Sequence, residues 1–321
     1  MAMQTSLPPW LPSSIRTLIL TTTPLPQPSH PDDVLVKVHT TSPCAGELWW
    51  MRDYPAAIPA DELPVPCSDL CGQVVAAPAG SGFRARDEVY ARVSPSRPGC
   101  AREYTLARTN ELAPKPAPIN FAEAAAAPLS ALTAWQALFV QAGNLDAAAL
   151  RGDADARRRN GSRRVLVTGA AGGVGSWVVQ LAALAGAGAV VAVCSAAKAE
   201  AARRLGATEV VDYKAKPLPE WIAEDRQRRE CDLVIAVVGG TMLPQCWHVV
   251  RDGGRLAKCA FFIVEPLGSN LREITPLIDA GKVRPVVDSV FGLQDIEAAF
   301  ERVETGKAQG KVVIQVDDLL S

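Results

Sequence analysis

Hydrophobic and polar positions along the chain follow two successive patterns. Up to about residue 91 the apolar residues come in short runs broken by proline, at 16–20, 34–38, 72–76 and 88–91. Such runs read as strands of a β-rich, barrel-like domain. A helical stretch follows at 121–127 and again at 128–141. Residues 143–164 read as a loop, and the arginine-rich run at 157–164 as its solvated surface. Beyond it the pattern changes to alternating elements, with strands at 164–168, 189–193, 210–211, 232–238 and 254–259 and helices at 174–184, 197–205, 218–228 and 242–250. This alternation predicts an α/β fold with a parallel sheet covered by helices on both faces. The chain ends in a run at 286–291, a helix at 293–304 and a strand at 311–316.

The length of 321 residues exceeds one ordinary domain, so two are expected. With 48% hydrophobic residues, 21% charged residues and a formal net charge of -1, nothing in the composition points to nucleic acid. The apolar cluster Leu18-Ile19-Leu20 follows Pro8, Pro9 and Pro12 without a charged leader, so no secretory signal is expected. The alanine-rich stretch 122–127 is too short and too weakly hydrophobic to cross a bilayer. These features predict a cytoplasmic protein whose eight cysteines stay reduced, most of them as small buried residues.

Directly after the strand at 164–168 comes Thr168-Gly169-Ala170-Ala171-Gly172-Gly173-Val174-Gly175, and a helix opens at once. This is where a dinucleotide turn belongs, with Ala170 in place of the first glycine of G-x-G-x-x-G. Such a turn lets the backbone approach a pyrophosphate, whose charge meets N–H groups and the helix N-terminus. The second strand ends at Cys194-Ser195, with no acid for a ribose 2′-hydroxyl. Ser195 and Lys198, with Arg203 and Arg204 on the next helix, offer donors and positive charge to a 2′-phosphate, which favours NADPH over NADH.

Several ordered stretches together resemble the zinc-independent quinone oxidoreductase and enoyl reductase branch of the medium-chain dehydrogenase/reductase superfamily. They are Asp33-Val-Leu-Val-Lys-Val38, Pro66-Cys-Ser-Asp-Leu-Cys-Gly72, Asp87-Glu-Val-Tyr90, the segment 123–135, the glycine turn, Leu205-Gly-Ala-Thr-Glu-Val-Val-Asp-Tyr213, Arg251-Asp-Gly-Gly-Arg-Leu256 and Gly310-Lys-Val-Val-Ile314. The resemblance implies a Rossmann doubly wound parallel sheet at 128–287 and a β-rich GroES-like catalytic domain from 1–127 and 288–321, with the active site in the cleft. It places Gly169, Ala170, Gly172, Gly173, Val174 and Gly175 on the cofactor, Tyr213 near its adenosine phosphate, and Val237, Val238, Phe261 and Phe262 beside the nicotinamide. Thr133 and Lys311 border the same cofactor. Plain core packing is the other reading of Phe261 and Phe262. The resemblance also leans towards a homodimer.

Zinc-dependent relatives hold their metal with a Cys in Cys-x-x-Asp/Glu and a His in Gly-His-Glu. This chain keeps Cys44-Ala-Gly-Glu47, but Ser68 stands where the histidine belongs, and the four close cysteines of a structural zinc site are absent. His30, His39 and His248 match no ligand spacing, so no metal is expected; an improvised site of Cys44, Cys67, Asp69 and Cys71 is the remaining metal reading. Many zinc-free relatives carry Asn near the position of Cys44, and this chain departs from them there. The implied reaction is hydride transfer from NADPH to a small enone or quinone, with protonation of the enolate or hydroquinone. Catalytic candidates are Cys44, Glu47 and Tyr54, the tyrosine as oxyanion or proton donor and the glutamate as donor partner or structural ion pair. Two rivals stay open: a zinc-type alcohol dehydrogenase, which Ser68 opposes, and a non-catalytic NADPH-binding protein on the same fold. A short-chain dehydrogenase is disfavoured because no tyrosine has a lysine four residues on.

Overall fold

In the computed structural model, which describes residues 2–6, 18–49, 63–258 and 264–317, Val34, Val36 and Val38 are fully buried, while Leu35, Lys37 and His39 between them are half-buried. That period of two is the mark of a strand with one face on a core. The strands in chain order are β1 (Ala2–Ser6), β2 (Ile19–Thr23), β3 (Asp33–Ser42), β4 (Asp69–Ala76), β5 (Glu88–Arg92), β6 (Tyr104–Arg108), β7 (Leu112–Pro114), β8 (Arg164–Thr168), β9 (Ala189–Cys194), β10 (Glu209–Asp212), β11 (Cys231–Ala236), β12 (Val250–Lys258), β13 (Val287–Gly292) and β14 (Lys311–Gln315). The α-helices are α1 (Phe121–Ala125), α2 (Pro128–Trp135), α3 (Ala154–Asn160), α4 (Gly173–Leu184), α5 (Ala199–Arg204), α6 (Leu218–Ala223), α7 (Arg226–Arg229), α8 (Met242–Cys246), α9 (Gly268–Asp279) and α10 (Ile296–Glu304). None of the described helices is long and apolar enough to cross a membrane.

The chain forms two compact units, 1–129 with 265–321 and 130–264. The first is built on a seven-stranded sheet in the order β13-β14-β3-β4-β5-β7. The long strand β3 is shared at one edge, pairing with β6 through residues 33–37 and with β14 through Thr40 and Thr41. Its core joins Val34, Val36 and Val38 to Leu70, Val89 and Leu112, and to Phe300, Val312 and Ile314 from the chain's end. The second unit is a five-stranded parallel sheet in the order β10-β9-β8-β11-β12. Val165, Leu166 and Val167 of β8 and Leu233, Val234 and Ile235 of β11 are all fully buried. Continuous apolar runs of this kind belong to parallel strands covered on both faces. From β8 the chain runs outward to β9 and β10, then returns to β11 on the other side, so the order of winding reverses between β8 and β11. Ligands of open α/β sheets bind at the carboxyl ends of strands at such a switch point.

Two expectations are corrected. Residues 143–164 are not a loop: a short 3-10 turn (Ala147–Arg151) and α3 fill them, capped by Asp146 on Ala148 N and by Asp153 on Ala156 N. The arginines there are tied locally, Arg157 to the Leu184 carbonyl at 2.9 Å, Arg159 to Asp146 at 2.5 Å and Arg164 to Glu209 at 2.5 Å. The second concerns the boundary at 287, since 265–287 belongs to the first unit. There α9 packs on β5 and β7: Gly268 N donates to the Asn110 carbonyl at 2.7 Å, Arg272 to the Leu112 carbonyl at 2.7 Å, and the buried Tyr90 hydroxyl to the Leu271 carbonyl at 3.1 Å.

The Tyr90 hydroxyl also lies 2.9 Å from Thr275 Oγ1, and Thr275 itself bonds the Leu271 carbonyl, so removing the hydroxyl orphans neither partner. Tyr90→Phe is therefore expected to cost only about 1 kcal/mol, read as a lower urea midpoint at unchanged slope. A loss several times larger would mean that α9 docks through this one hydrogen bond.

Candidate functional site

The glycine turn sits at the carboxyl end of β8. Gly169 adopts φ +63°, a left-handed conformation suited to glycine, and its carbonyl accepts from Gly172 N at 2.9 Å. A side chain at Gly175 would collide with the Gly169 carbonyl and with Ala170 Cα, so α4 reaches this close to the strand only because residue 175 is glycine. Helix α4 has Gly172 as its N-cap, with no side-chain cap on its first N–H groups, and residues 172–174 are half-buried. An uncapped helix start of twelve residues, presented through glycines, is a place for an anion. Here the residues fit a dinucleotide's pyrophosphate.

Thr168 closes the other side of the turn. Its hydroxyl accepts from Val237 N at 3.0 Å and Val238 N at 3.1 Å, which fixes the loop after β11 beside Gly169. Val237 and Val238 are thereby gathered next to the turn, and a Cβ on Gly169 would touch both. Val238 is left 44% exposed, an apolar surface at the switch point. The sequence reading missed Thr168, although a threonine ending a buried strand just before the turn was its signal.

Ser195 follows the end of β9, and Lys198 closes the short turn after it. Lys198 and Arg203 both act electrostatically on Cys194, whose thiol is pushed up first by burial. The strand register also brings Asp212 of β10 opposite Cys194. An acid therefore stands near the end of β9 after all, supplied by the neighbouring strand, and its carboxylate accepts from Lys214 N at 3.0 Å. Tyr213, next to it, is 43% exposed. Thr133 is buried in α2, within the second unit.

The other candidates gather in the first unit. Buried Lys311 at the start of β14 donates to the Pro43 carbonyl at 2.9 Å and to Cys44 Sγ at 3.1 Å, and lies 3.2 Å from Asp69 Oδ2. Asp69, fully buried, accepts from Leu129 N at 2.6 Å through Oδ1. Glu47 accepts from Cys44 N at 3.1 Å and from the Ser68 hydroxyl at 3.4 Å. Cys67 precedes Ser68 with φ +70°, and its segment is braced by Gly99 N on the Val65 carbonyl and Ala101 N on the Pro66 carbonyl. Lys311 was expected to border the cofactor; in the structure its ammonium is engaged with these three partners.

Burial pushes the Cys44 thiol up to about 11, with Lys311 opposing and Glu47 and Asp69 adding to the shift. Burial likewise raises the carboxyls of Glu47 and Asp69. For Lys311 burial disfavours the charge, but Cys44 and Asp69 outweigh it and hold the ammonium above the ordinary lysine range. With Cys44 protonated at neutral pH, Asp69 is the anion that keeps Lys311 charged. Arg92, paired in register with Asp69 on β5, adds a second buried cation.

Tyr54, Phe261 and Phe262 lie outside the described residues. Cys71 is not part of the Cys44 group, since the charges acting on it are Lys115 and Glu88.

A parallel α/β unit with a phosphate-type turn and a mainly antiparallel unit assembled from both ends of the chain together define a two-domain dinucleotide-binding reductase fold. A family described as zinc-binding dehydrogenase matches residues 173–305. A probable zinc-binding oxidoreductase, mitochondrial, of Arthroderma benhamiae is 41% identical over 94% of this chain and 93% of its own. The NADPH-dependent alkenal/one oxidoreductase, chloroplastic, of Arabidopsis thaliana is 34% identical over 78% of this chain and 63% of its own. Among solved structures, the quinone oxidoreductase from Coxiella burnetii superposes with a TM-score of 0.82 at 22% identity, over 98% of this chain and all of that one (100%). The chain belongs to the medium-chain dehydrogenase/reductase superfamily and is an oxidoreductase of that group. The cytoplasmic expectation is corrected by the same comparison, since the Arthroderma relative is named mitochondrial.

The family description raises zinc, and the Cys44 group does not fit it. Catalytic zinc takes three protein ligands from Cys, His and carboxylates. Here the thiol and the Asp69 carboxylate face an ammonium, the Glu47 carboxylate is taken by Cys44 N and Ser68, and no histidine joins them. Among the described residues no three His, Cys, Asp or Glu side chains converge as a metal site.

Cys44 is partly exposed, so its titration is open to measurement. A thiol at about 11 rather than the ordinary 9.0 leaves little thiolate at pH 9. Labelling of the Cys44 peptide by iodoacetamide at that pH is expected to run about fiftyfold slower than in the unfolded chain. A rate that rises through pH 9 as for a free thiol would remove the shift. The sign for stability agrees: both Cys44 and Lys311 hold their protons more tightly when folded, so the Cys44 contribution is complete below pH 9 and is lost as pH rises through 9 to 11, and that of Lys311 is lost only above its ordinary value of 10.5.

Proposed function

We propose that the protein is an NADPH-dependent, zinc-independent reductase that passes hydride to a small α,β-unsaturated carbonyl or quinone. The observation that carries this reading is the turn at 169–175, with its left-handed glycine, its close strand-to-helix approach and its uncapped helix start. A bound nicotinamide supplies the hydride. The chain binds, orients and moves a proton. The N–H groups opening α4 meet the pyrophosphate, and the Ser195 hydroxyl and Lys198 ammonium meet the 2′-phosphate. Val237 and Val238, pinned by Thr168, offer the nicotinamide an apolar wall. In the first unit Cys44, a thiol at neutral pH, donates to the acceptor oxygen as negative charge develops there, and the Lys311 ammonium against its sulfur favours release of that proton. Glu47 fixes the backbone of Cys44 through its N–H.

The acceptor class is supported by the names of the Arabidopsis and Coxiella relatives, and a mitochondrial setting by that of the Arthroderma relative. Asp212 favours a second reading in part: opposite Cys194, its carboxylate is suited to a ribose 2′-hydroxyl, which would admit NADH as well.

Titrating the EDTA-treated protein with NADPH and with NADH, followed by nicotinamide fluorescence, separates the two. Charge-assisted contacts are worth about 1.5–3 kcal/mol each, so Ser195 and Lys198 together are expected to favour NADPH by about a hundredfold or more, and Lys198→Ala to lose about tenfold of that. Equal affinities would move the assignment to Asp212 and NADH. Binding of neither would sink the cofactor reading itself.

A further inference from the structure

The three N–H bonds of the Lys311 ammonium have three acceptors, the Pro43 carbonyl, Cys44 Sγ and Asp69 Oδ2, all within 3.2 Å. Lys311 is 7% exposed and Asp69 not at all. A carbonyl, a thiol and one carboxylate thus surround one internal positive charge, and Glu47, bound to the same segments through Cys44 N and the Ser68 hydroxyl, feels that charge electrostatically. Sulfur and carboxylate oxygen are ordinary ligands of divalent transition metals. A divalent ion on Cys44 or Asp69 would stand within a few ångströms of the ammonium, in surroundings that screen little. The lysine stem fills the space as well.

We propose that Lys311 is the resident cation of this group: its ammonium balances Asp69 and Glu47, occupies the place a metal ion would need beside Cys44, and so keeps divalent cations out. Lys311 is then a positioning residue for the thiol, not a cofactor contact. Arg92, opposite Asp69 in the strand register, adds positive charge to the same acids and works in the same direction. The inference rests on the zinc-independent part of the proposed function and not on the hydride chemistry. NADPH titration reads the turn of the other unit, so failure here leaves that result standing.

The test dialyses the EDTA-treated full-length chain against cobalt(II), and measures bound cobalt by elemental analysis and thiolate-to-cobalt charge-transfer absorption. Wild type and Lys311→Arg are expected to stay essentially cobalt-free with no charge-transfer band. Lys311→Ala removes charge and stem together and is expected to take up about one cobalt per chain, roughly tenfold or more above wild type, with a band that Cys44→Ser abolishes in the same background. Should Lys311→Ala fail to fold by circular dichroism, Lys311→Met carries the comparison, keeping the stem and removing only the charge. Stoichiometric cobalt on wild type with a band lost in Cys44→Ser overturns the proposal. So does a folded Lys311 variant that binds no more cobalt than wild type.

Discussion

The ion pair between Lys311 and Asp69 is the contact on which the first unit depends. It ties the first residue of β14 to the first residue of β4, 242 positions away, and so braces, across β3, a sheet whose strands come from both ends of the chain. The Ser42 hydroxyl, donating to the Val312 carbonyl at 2.6 Å, reinforces the seam one position along. Burying such a pair is costly in desolvation, and it is retained only when its remaining hydrogen-bonding capacity is met. Here it is met for the ammonium and for Asp69 Oδ1, through the Pro43 carbonyl, Cys44 Sγ and Leu129 N, while Asp69 Oδ2 has the charge of Lys311 alone. Losing either partner alone would leave a buried charge, a cost of about 3–5 kcal/mol. The seam thus includes the catalytic candidate Cys44, so the thiol is held by the element that holds the unit together.

The second unit rests on a constraint of space. Gly175 lets α4 come down onto the Gly169 carbonyl, and Thr168 draws the loop after β11 to the same point. Both devices act where the winding of the sheet reverses, so the helix N-terminus and the apolar pair Val237 and Val238 arrive together. The binding groups are mostly backbone. This is why a sequence with alanine at 170 still builds the turn: that residue is buried and its N–H goes to the Val193 carbonyl at 3.2 Å.

What was legible in the sequence follows from how each element is stabilised. Strands β8, β9 and β11 are buried on both faces and read as unbroken apolar runs, and α4 follows a turn whose glycines have a steric reason. The pattern failed where stabilisation is non-local. Strand β7 has three residues and contains proline, α9 carries Pro276 inside it, and α3 is held by caps and ion pairs instead of an apolar stripe. The site divides in the same way. The turn is local and was readable, whereas Asp212 reaches Cys194 only through the register of β10 on β9. Lys311 was picked out for its motif, but nothing along the chain reveals that β14 delivers it to Cys44 and Asp69.

Cysteine at position 44 poses a chemical difficulty for the proposed reaction, and the structure contains its resolution. Enones and quinones are electrophiles that thiolates attack, so a cysteine meeting them as an anion would be alkylated in place of assisting reduction. Lys311 alone would favour that anion, as a cation beside sulfur lowers a thiol's pKa. Burial and the neighbouring Glu47 and Asp69 outweigh it, and the thiol is held up at about 11. Near neutral pH the residue is therefore an S–H donor and a poor nucleophile. The ammonium's pull is felt only as the proton leaves towards a developing oxyanion, which is when stabilising the sulfur lowers the barrier. Burial first, with Glu47 and Asp69 adding to it, thus protects the thiol from the substrate it is proposed to serve.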